Sequence, residues 1–289
     1  MRLLFFTLIL IVFSCGNKSI KQETPFQNSY NLETPSRILK LDHDLIETSG
    51  LSTTTNPDNL LTVNDEQGKI YVLNKETGDI KDVLKFDSKD DYEGIEQVGD
   101  LVYITNNSGD IFAYNFNKKE EEGKHFKTHL SKKNNIEGLT FDKKNNRLLL
   151  ACKGEAGDDI KKAKAIYSFD LATQKLDKDP SYVIYDDAIE EYIKKHFEGN
   201  FLLKNRAKNF APSGITIHPK SGKIYALSSR GKMIIVLKQN GKIDEIYFLD
   251  DKIYFQPEGI CIDQNLRLFI SSEGKSKKSR LFEFDYLGK

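Results

Sequence analysis

The chain has 289 residues, enough for one large domain or two small ones. Lys+Arg and Asp+Glu both number 43, so the chain has no formal net charge, and the basic excess expected of a nucleic-acid partner is absent. Thirteen Tyr and eighteen Phe with no Trp suit strands packed through aromatic faces.

The N-terminus, "MRLLFFTLILIVFSCGNKS", has Arg2, an apolar run from Leu3 to Phe13, then Ser14-Cys15. The run is too short to span a bilayer of ~30 Å, and a charged start, apolar core and small exit residue predict a secretory signal over 1–14. The exit "VFSC" resembles the bacterial lipobox, which implies acylation at Cys15; an ordinary signal peptide with a chance Cys is the alternative. Residues 15–36 are polar and read as a lipidated tether. Together these predict a protein anchored by lipid to a bacterial cell envelope, outside the cytoplasm. The two remaining cysteines, Cys152 and Cys261, are too few for a disulfide framework and fall in apolar strand-like runs, as buried thiols do.

From residue 37 onward one phrase recurs. It is Glu93-Gly94-Ile95, Glu137-Gly138-Leu139 and Glu258-Gly259-Ile260, with softer copies at Ser49-Gly50-Leu51 and Ser213-Gly214-Ile215. The intervals between the glycines are 44, 44, 76 and 45 residues. Each unit then repeats one pattern: a short apolar strand, a stronger strand such as "NLLTVN" or "RLFISS", a hairpin such as "NSGD" or "SEGK", a third strand, and a more polar fourth. Four antiparallel strands in about 44 residues predict a blade of an all-β propeller.

The count gives five blades, with six as the alternative if the long interval hides a degenerate one. The last unit stops after its third strand, and "SRILKLDHDL" ahead of the first repeat supplies the missing fourth, which closes the ring over residues 37–289. In the long interval, Ile189, Ile193 and Phe197 recur every four residues, so about 186–206 reads as an amphipathic helical insertion. It is expected either to lie over the channel mouth as a lid or to pack on the outer edge of a blade.

First strands line a propeller's channel, so the residues before the glycines converge on the axis: Ser49, Glu93, Glu137, Ser213 and Glu258, with Glu47 two positions before Ser49 on an extended chain. Each glycine is expected to let the backbone turn tightly into the innermost strand, where a side chain would crowd its neighbours. Converging carboxylates need compensation, and Ca2+, which accepts six to eight oxygens, is the expected cofactor; no Cys/His cluster suggests zinc or copper. Solvated or partly protonated carboxylates, or pairing with Lys153 or Arg230, are the alternatives. The candidate ligand-binding rim comprises Asp65, Asn106, Asn107, Lys153, Arg230 and Glu273, which are also the residue types that hairpins need for themselves.

As an ensemble, "ETSGLS", "VNDEQGKIYVLN", "YEGIE", "IEGLTFD", "PSGITIHPKSGKIYALSS" and "PEGICID" resemble the SdiA-regulated family of bacterial propeller proteins. That resemblance implies an envelope propeller with a calcium association and no established reaction. The Glu-Gly phrase also resembles the metal-binding start of gluconolactonase-like propellers, but Ser at two ring positions and the missing rim Asn/Asp set leave lactone hydrolysis uncarried. The expected function is a Ca2+-binding interaction module, a monomer in contact with the membrane and with an unknown ligand or envelope protein, and without nucleic acid. The alternative is a Ca2+-dependent hydrolase of the propeller phytase or esterase type. No catalytic constellation stands out: none of the five histidines falls at a repeat position, and no G-x-S-x-G is present.

Overall fold

Each Glu/Ser-Gly phrase begins the innermost strand of a blade. The computed structural model describes residues 29–64, 66–118, 123–197, 201–274 and 278–288. The expectations for the signal segment, Cys15 and Asp65 therefore lie outside the described residues. The closing strand β1 is Arg37–Lys40. Blade one is β2 Thr48–Thr53, β3 Asn59–Asn64, β4 Gln67–Asn74 and β5 Ile80–Lys85; blade two is β6 Tyr92–Val98, β7 Leu101–Asn106, β8 Ile111–Asn115 and β9 Lys124–Phe126. Blade three is β10 Ile136–Asp142, β11 Arg147–Cys152 and β12 Ala163–Asp170, with its outer position shared by β13 Lys175–Leu176 and β14 Tyr182–Tyr185, both paired to β12. Helices α1 Asp186–His196 and α2 Phe201–Lys208 follow. Blade four is β15 Gly214–Ile217, β16 Ile224–Ser228, β17 Met233–Leu237 and β18 Ile243–Phe248; blade five is β19 Pro257–Ile262, β20 Leu268–Ser272 and β21 Arg280–Phe284.

All pairings are antiparallel, the innermost strands touch their neighbours around the ring, and the architecture is a five-bladed propeller. The long interval holds helices and a split outer strand, and no sixth blade. Ring closure follows the expected register: Ile38 faces Phe282 and Leu39 faces Leu281. Arg37 of β1 pairs with Glu283 of β21 and with Glu76 of blade one, and Arg267 joins both carboxylates, so the seam is tied by charge as well as by backbone.

Apolar strand faces meet between blades and not within one central core. Five clusters fill the five interfaces; between blades one and two, for example, Leu61, Val63 and Ile70 pack on Tyr92, Ile95 and Ile104. Burying such a side chain stabilises by roughly 1.5–3 kcal/mol, which makes each interface substantial. Residues 29–36, placed in the tether by composition, instead pack on blades four and five: Tyr30 and Leu32 are buried, Tyr30 donates to the Leu266 carbonyl at 2.8 Å, and the Leu32 carbonyl accepts from Tyr254 at 2.7 Å.

The amphipathic stripe of α1 packs at the outer edge of the ring. Ile189 and Ile193 are buried with Ile184 of β14 and Ile246 of β18, and Tyr192 donates to the Asp244 carbonyl at 3.1 Å. The helix thus fills the groove between the outer strands of blades three and four and does not lie over the mouth. From there α2 returns toward the rim, where Arg206 donates to the Leu249 carbonyl at 2.9 Å.

Candidate functional site

The first strands carry a feature that strand alternation does not reveal. In blade two, Tyr92 faces Asn106 and Gly94 faces Thr105, so Glu93 has no partner residue on β7. The same slip leaves Glu137 unmatched between Ile136 and Gly138, and Glu258 unmatched between Pro257 and Gly259. Each glutamate is the extra residue of a β-bulge, which re-aims its side chain. Ser213 has no such bulge ahead of it, and the irregularity in blade one falls after Ser49.

The glycines seat each first strand against the next. A methyl on Gly94 would stand 2.7 Å from Leu139 Cβ, on Gly138 2.8 Å from Ile215 Cγ2, on Gly214 2.5 Å from the Glu258 carbonyl, on Gly259 2.7 Å from Leu51 Cβ, and on Gly50 2.8 Å from the Glu93 carbonyl. The five contacts run once around the ring. Of these glycines only Gly50, at φ +56°, has the left-handed backbone that the tight-turn expectation requires; for the others, close approach of neighbouring strands is the reason.

The three bulged glutamates share one electrostatic environment. Burial pushes the Glu93 carboxyl up to about 9, with Glu137 the next contributor and Glu258 adding to it. Burial pushes Glu137 up to about 7 against the opposing pull of Lys153. Glu258 is raised by burial too, while Lys153 and the polar side chains of Gln256, Ser229 and Ser213 work the other way. Lys153 Nζ lies 2.9 Å from Glu137 Oε1, which also accepts from Asn135 Nδ2 at 2.8 Å. Despite the burial that opposes its charge, Lys153 is held above the usual lysine pKa by Glu137, Glu258 and Glu93. One cation thus faces three carboxylates.

Two oxygens near this rim lack hydrogen-bond partners: Glu258 Oε2 and Asn107 Oδ1 are both buried and unsatisfied. Asn107 Nδ2 donates to Asp91, a residue that also raises the Glu93 pKa. Among the described residues no three His, Cys, Asp or Glu side chains stand close enough together to hold a metal ion as they are.

The other expected residues separate into two groups. Ser49 and Ser213 are buried, and Ser213 Oγ donates to the Pro257 carbonyl at 2.8 Å and accepts from the Ser229 amide at 3.2 Å. Glu47 is exposed in the turn before β2 and does not join the ring, because the chain there is not extended. Asn106 spends its side chain on its own hairpin and on Asp90 Oδ2 at 2.7 Å. Backbone bonds from Asn107 N to Asp91 O, Lys153 N to Asn135 O and Glu273 N to Gln256 O, all at 2.9 Å, place those hairpins on the rim that leads into the first strands. Arg230 is exposed and lines a separate cleft with Lys164 and Asp186.

A second ring was not anticipated. Two positions after each glycine stand Ser52, Glu96, Thr140, Thr216 and Cys261. Their polarity within otherwise apolar strands is the signal that marks them. Glu96 Oε1 accepts from Ser52 Oγ at 2.8 Å and Oε2 from the Phe141 amide at 3.2 Å, and burial pushes its carboxyl up to about 7. Glu96, Thr140, Thr216 and Cys261 line a cavity of about 1060 Å3 toward the far ends of the first strands. Burial raises the Cys261 thiol well above its ordinary value, which makes it unreactive.

Comparison with known proteins agrees with this architecture. Glutaminyl cyclase of Myxococcus xanthus superposes with a TM-score of 0.55 at 13% identity, over 88% of this chain and 97% of that one. PQQ-bound aldose sugar dehydrogenase of Streptomyces coelicolor superposes at 0.50 with 11% identity, over 87% and 97%. At such identities the likeness is one of fold. No curated protein sequence matches the chain. A profile of the SdiA-regulated family matches residues 26–276, nearly the whole propeller, and the chain belongs to that family.

Proposed function

We propose that the protein is a binding module of the bacterial cell envelope, anchored by lipid at Cys15, that takes Ca2+ at the channel mouth and presents a ligand-binding rim around it. The observation that carries the reading is the convergence of Glu93, Glu137 and Glu258, all raised by burial, the first two also by neighbouring glutamates, with Lys153 as the cation that acts on all three. The donors fit a hard cation, because they are all oxygens and one of them, Glu258 Oε2, is buried without a partner. Glu93, Glu137 and Glu258 would hold the ion by drawing closer together than they stand without it, and the unsatisfied Asn107 Oδ1 is a further oxygen on that rim. A bound Ca2+ would supply the positive charge that protons and Lys153 otherwise provide. Glu137 Oε1 is already engaged by Lys153 and Asn135, so at most five carboxylate oxygens remain for a shell of six to eight, and water or an oxygen-bearing ligand would complete it.

Calorimetric titration of the full chain with CaCl2, after removal of metal with EDTA, tests this. Binding should be saturable, should weaken at least tenfold in Glu258→Gln, and should raise the melting temperature by mass action. An absence of binding heat, or equal affinity in wild type and variant, would reject it.

A further inference from the structure

The rim carries a second concavity of opposite charge. The hairpin between β11 and β12 (residues 153–162), the residues after α2, and Arg230 enclose a cleft of about 410 Å3. Its charged lining comprises Lys133, Lys161, Lys162, Lys164, Lys208 and Arg230 against Glu155 and Asp186. A chain with 43 basic and 43 acidic residues has no general cationic excess, so this is a local concentration.

The cations outnumber the anions, and Asp186 is the carboxylate that acts on Lys164 and Lys162. Among the described residues, none of the six has an acidic group within the 4.0 Å of an ion pair. Lys164 is the most telling. Its Nζ is held by the carbonyls of Lys153 at 2.6 Å and Gly154 at 2.9 Å, which are dipoles and not charges. Burial lowers its pKa, Asp186 opposes, and Arg230 adds a smaller lowering. One carboxylate nearby, beyond ion-pair distance, offsets part of the cost of a half-buried ammonium with a guanidinium near it, and a bound anion would offset more.

The backbone is shaped to hold this arrangement. A methyl on Gly154 would stand 2.2 Å from the Lys133 carbonyl, so the hairpin lies directly on the loop that brings Lys133 in. Lys162 has φ +52°, strained for a side chain of this type, and its carbonyl is fixed by the Asp186 amide at 2.9 Å. Ile160, Ala163 and Phe210 add an apolar side to the lining.

We infer that this cleft is a binding site for a small ligand bearing one or two phosphate groups, with Arg230 and Lys164 at its centre and Lys208, Lys161 and Lys162 around them. Six cations against two carboxylates suit a multiply charged anion better than a single carboxylate. A guanidinium accepts phosphate oxygens in pairs while lysines supply point charges. The volume lies within the roughly 300–1,000 Å3 of small-ligand sites. The site is independent of any cation at the mouth.

The test is calorimetry with inorganic pyrophosphate in EDTA, so that calcium plays no part, together with sedimentation on phosphatidylglycerol vesicles, both with the chain beginning at Gly16, because an acylated Cys15 or an uncleaved apolar leader would bind vesicles by itself. Arg230→Glu and Lys208→Glu alter exposed side chains and should keep the fold; Lys85→Glu, on the outer strand of blade one, is the control. The expected result is saturable binding, weakened at least tenfold by each of the first two substitutions and unchanged by the control. Binding of pyrophosphate without vesicles assigns the phosphate to a soluble ligand, and vesicle binding lost in Arg230→Glu assigns it to a lipid headgroup; both uphold the site. No binding to either probe, or binding indifferent to Arg230→Glu and Lys208→Glu, overturns it.

Discussion

Replacing Glu93 by Gln should make the stability of the metal-free protein less sensitive to pH. In the folded chain, burial first and then Glu137 push the Glu93 carboxyl from the ordinary 4.5 up to about 9. A carboxyl raised in this way is protonated in the folded state and ionised in the unfolded one throughout that window. Its contribution to stability is therefore intact at low pH and is lost as pH rises from 4.5 toward 9. The loss is at most ~1.4 kcal/mol per pH unit, so up to ~3 kcal/mol between pH 6 and pH 8, or roughly 6–10 °C in melting temperature for a domain of this size. Calorimetric melting of wild type and Glu93→Gln across that range in EDTA measures it. The variant's midpoint should gain on the wild type as pH rises. It will not be flat, because Glu137 and Glu96, each raised to about 7 by burial, lose stability in the same direction. Parallel curves, or a wild type that gains stability toward pH 8, would refute the reasoning about the axis.

Three further substitutions address other parts of the structure. Lys153→Met removes the cation that acts on all three glutamates, so it should lower metal-free stability near neutral pH by about 1–3 kcal/mol and raise Ca2+ affinity about tenfold in the same calorimetric titration; an unchanged affinity would mean that Lys153 does not compete for the ring. Gly138→Ala drives a methyl to 2.8 Å from Ile215 Cγ2 of the next blade and should cost about 1–3 kcal/mol in denaturant melts, and an unaltered midpoint would show that the inter-blade contact yields. Cys15→Ala should move the protein from the membrane fraction to the soluble one, and unchanged fractionation counts against acylation.

The blade count was readable because a constant interval between glycines and period-two strands depend only on local sequence. Closure was readable because the last unit visibly lacked a fourth strand. The bulges were not, since which residue is supernumerary depends on the partner strand: Glu93 becomes extra only when Tyr92 meets Asn106 and Gly94 meets Thr105. The crowding around the glycines was readable, but not which residue does the crowding, since that residue belongs to a neighbouring blade 43 or more residues away in the chain. Glu47 was placed on the ring by assuming an extended chain, but a turn precedes β2 and breaks the alternation. Helix α1 was readable from its apolar spacing, but not its berth, because one stripe suits a rim or an edge equally; Ile246 and the Asp244 carbonyl of the outer strand decide it. The second ring, with Glu96, lay in plain view two residues after each glycine and needed only the repeats to be aligned further.

The charge at the mouth follows from the close approach of the blades. Because each glycine sits against the first strand of the next blade, the residue before it has little room to turn sideways, and in three blades the bulge directs that residue toward the same rim. Burial then disfavours ionisation of each glutamate, and each ionised neighbour disfavours it further. Lys153 answers one carboxylate at 2.9 Å and leaves two. At low pH protons can neutralise those two without any ligand. Toward neutral pH and above, the carboxyls raised by burial give up their protons, and the unmet negative charge grows as they leave. The proposed Ca2+ binding should therefore strengthen with pH over the same interval in which the metal-free fold weakens, because both would express one competition between a proton and a cation for the same oxygens; affinity that is flat or falls from pH 6 to pH 8 in the calorimetric titration would refute it.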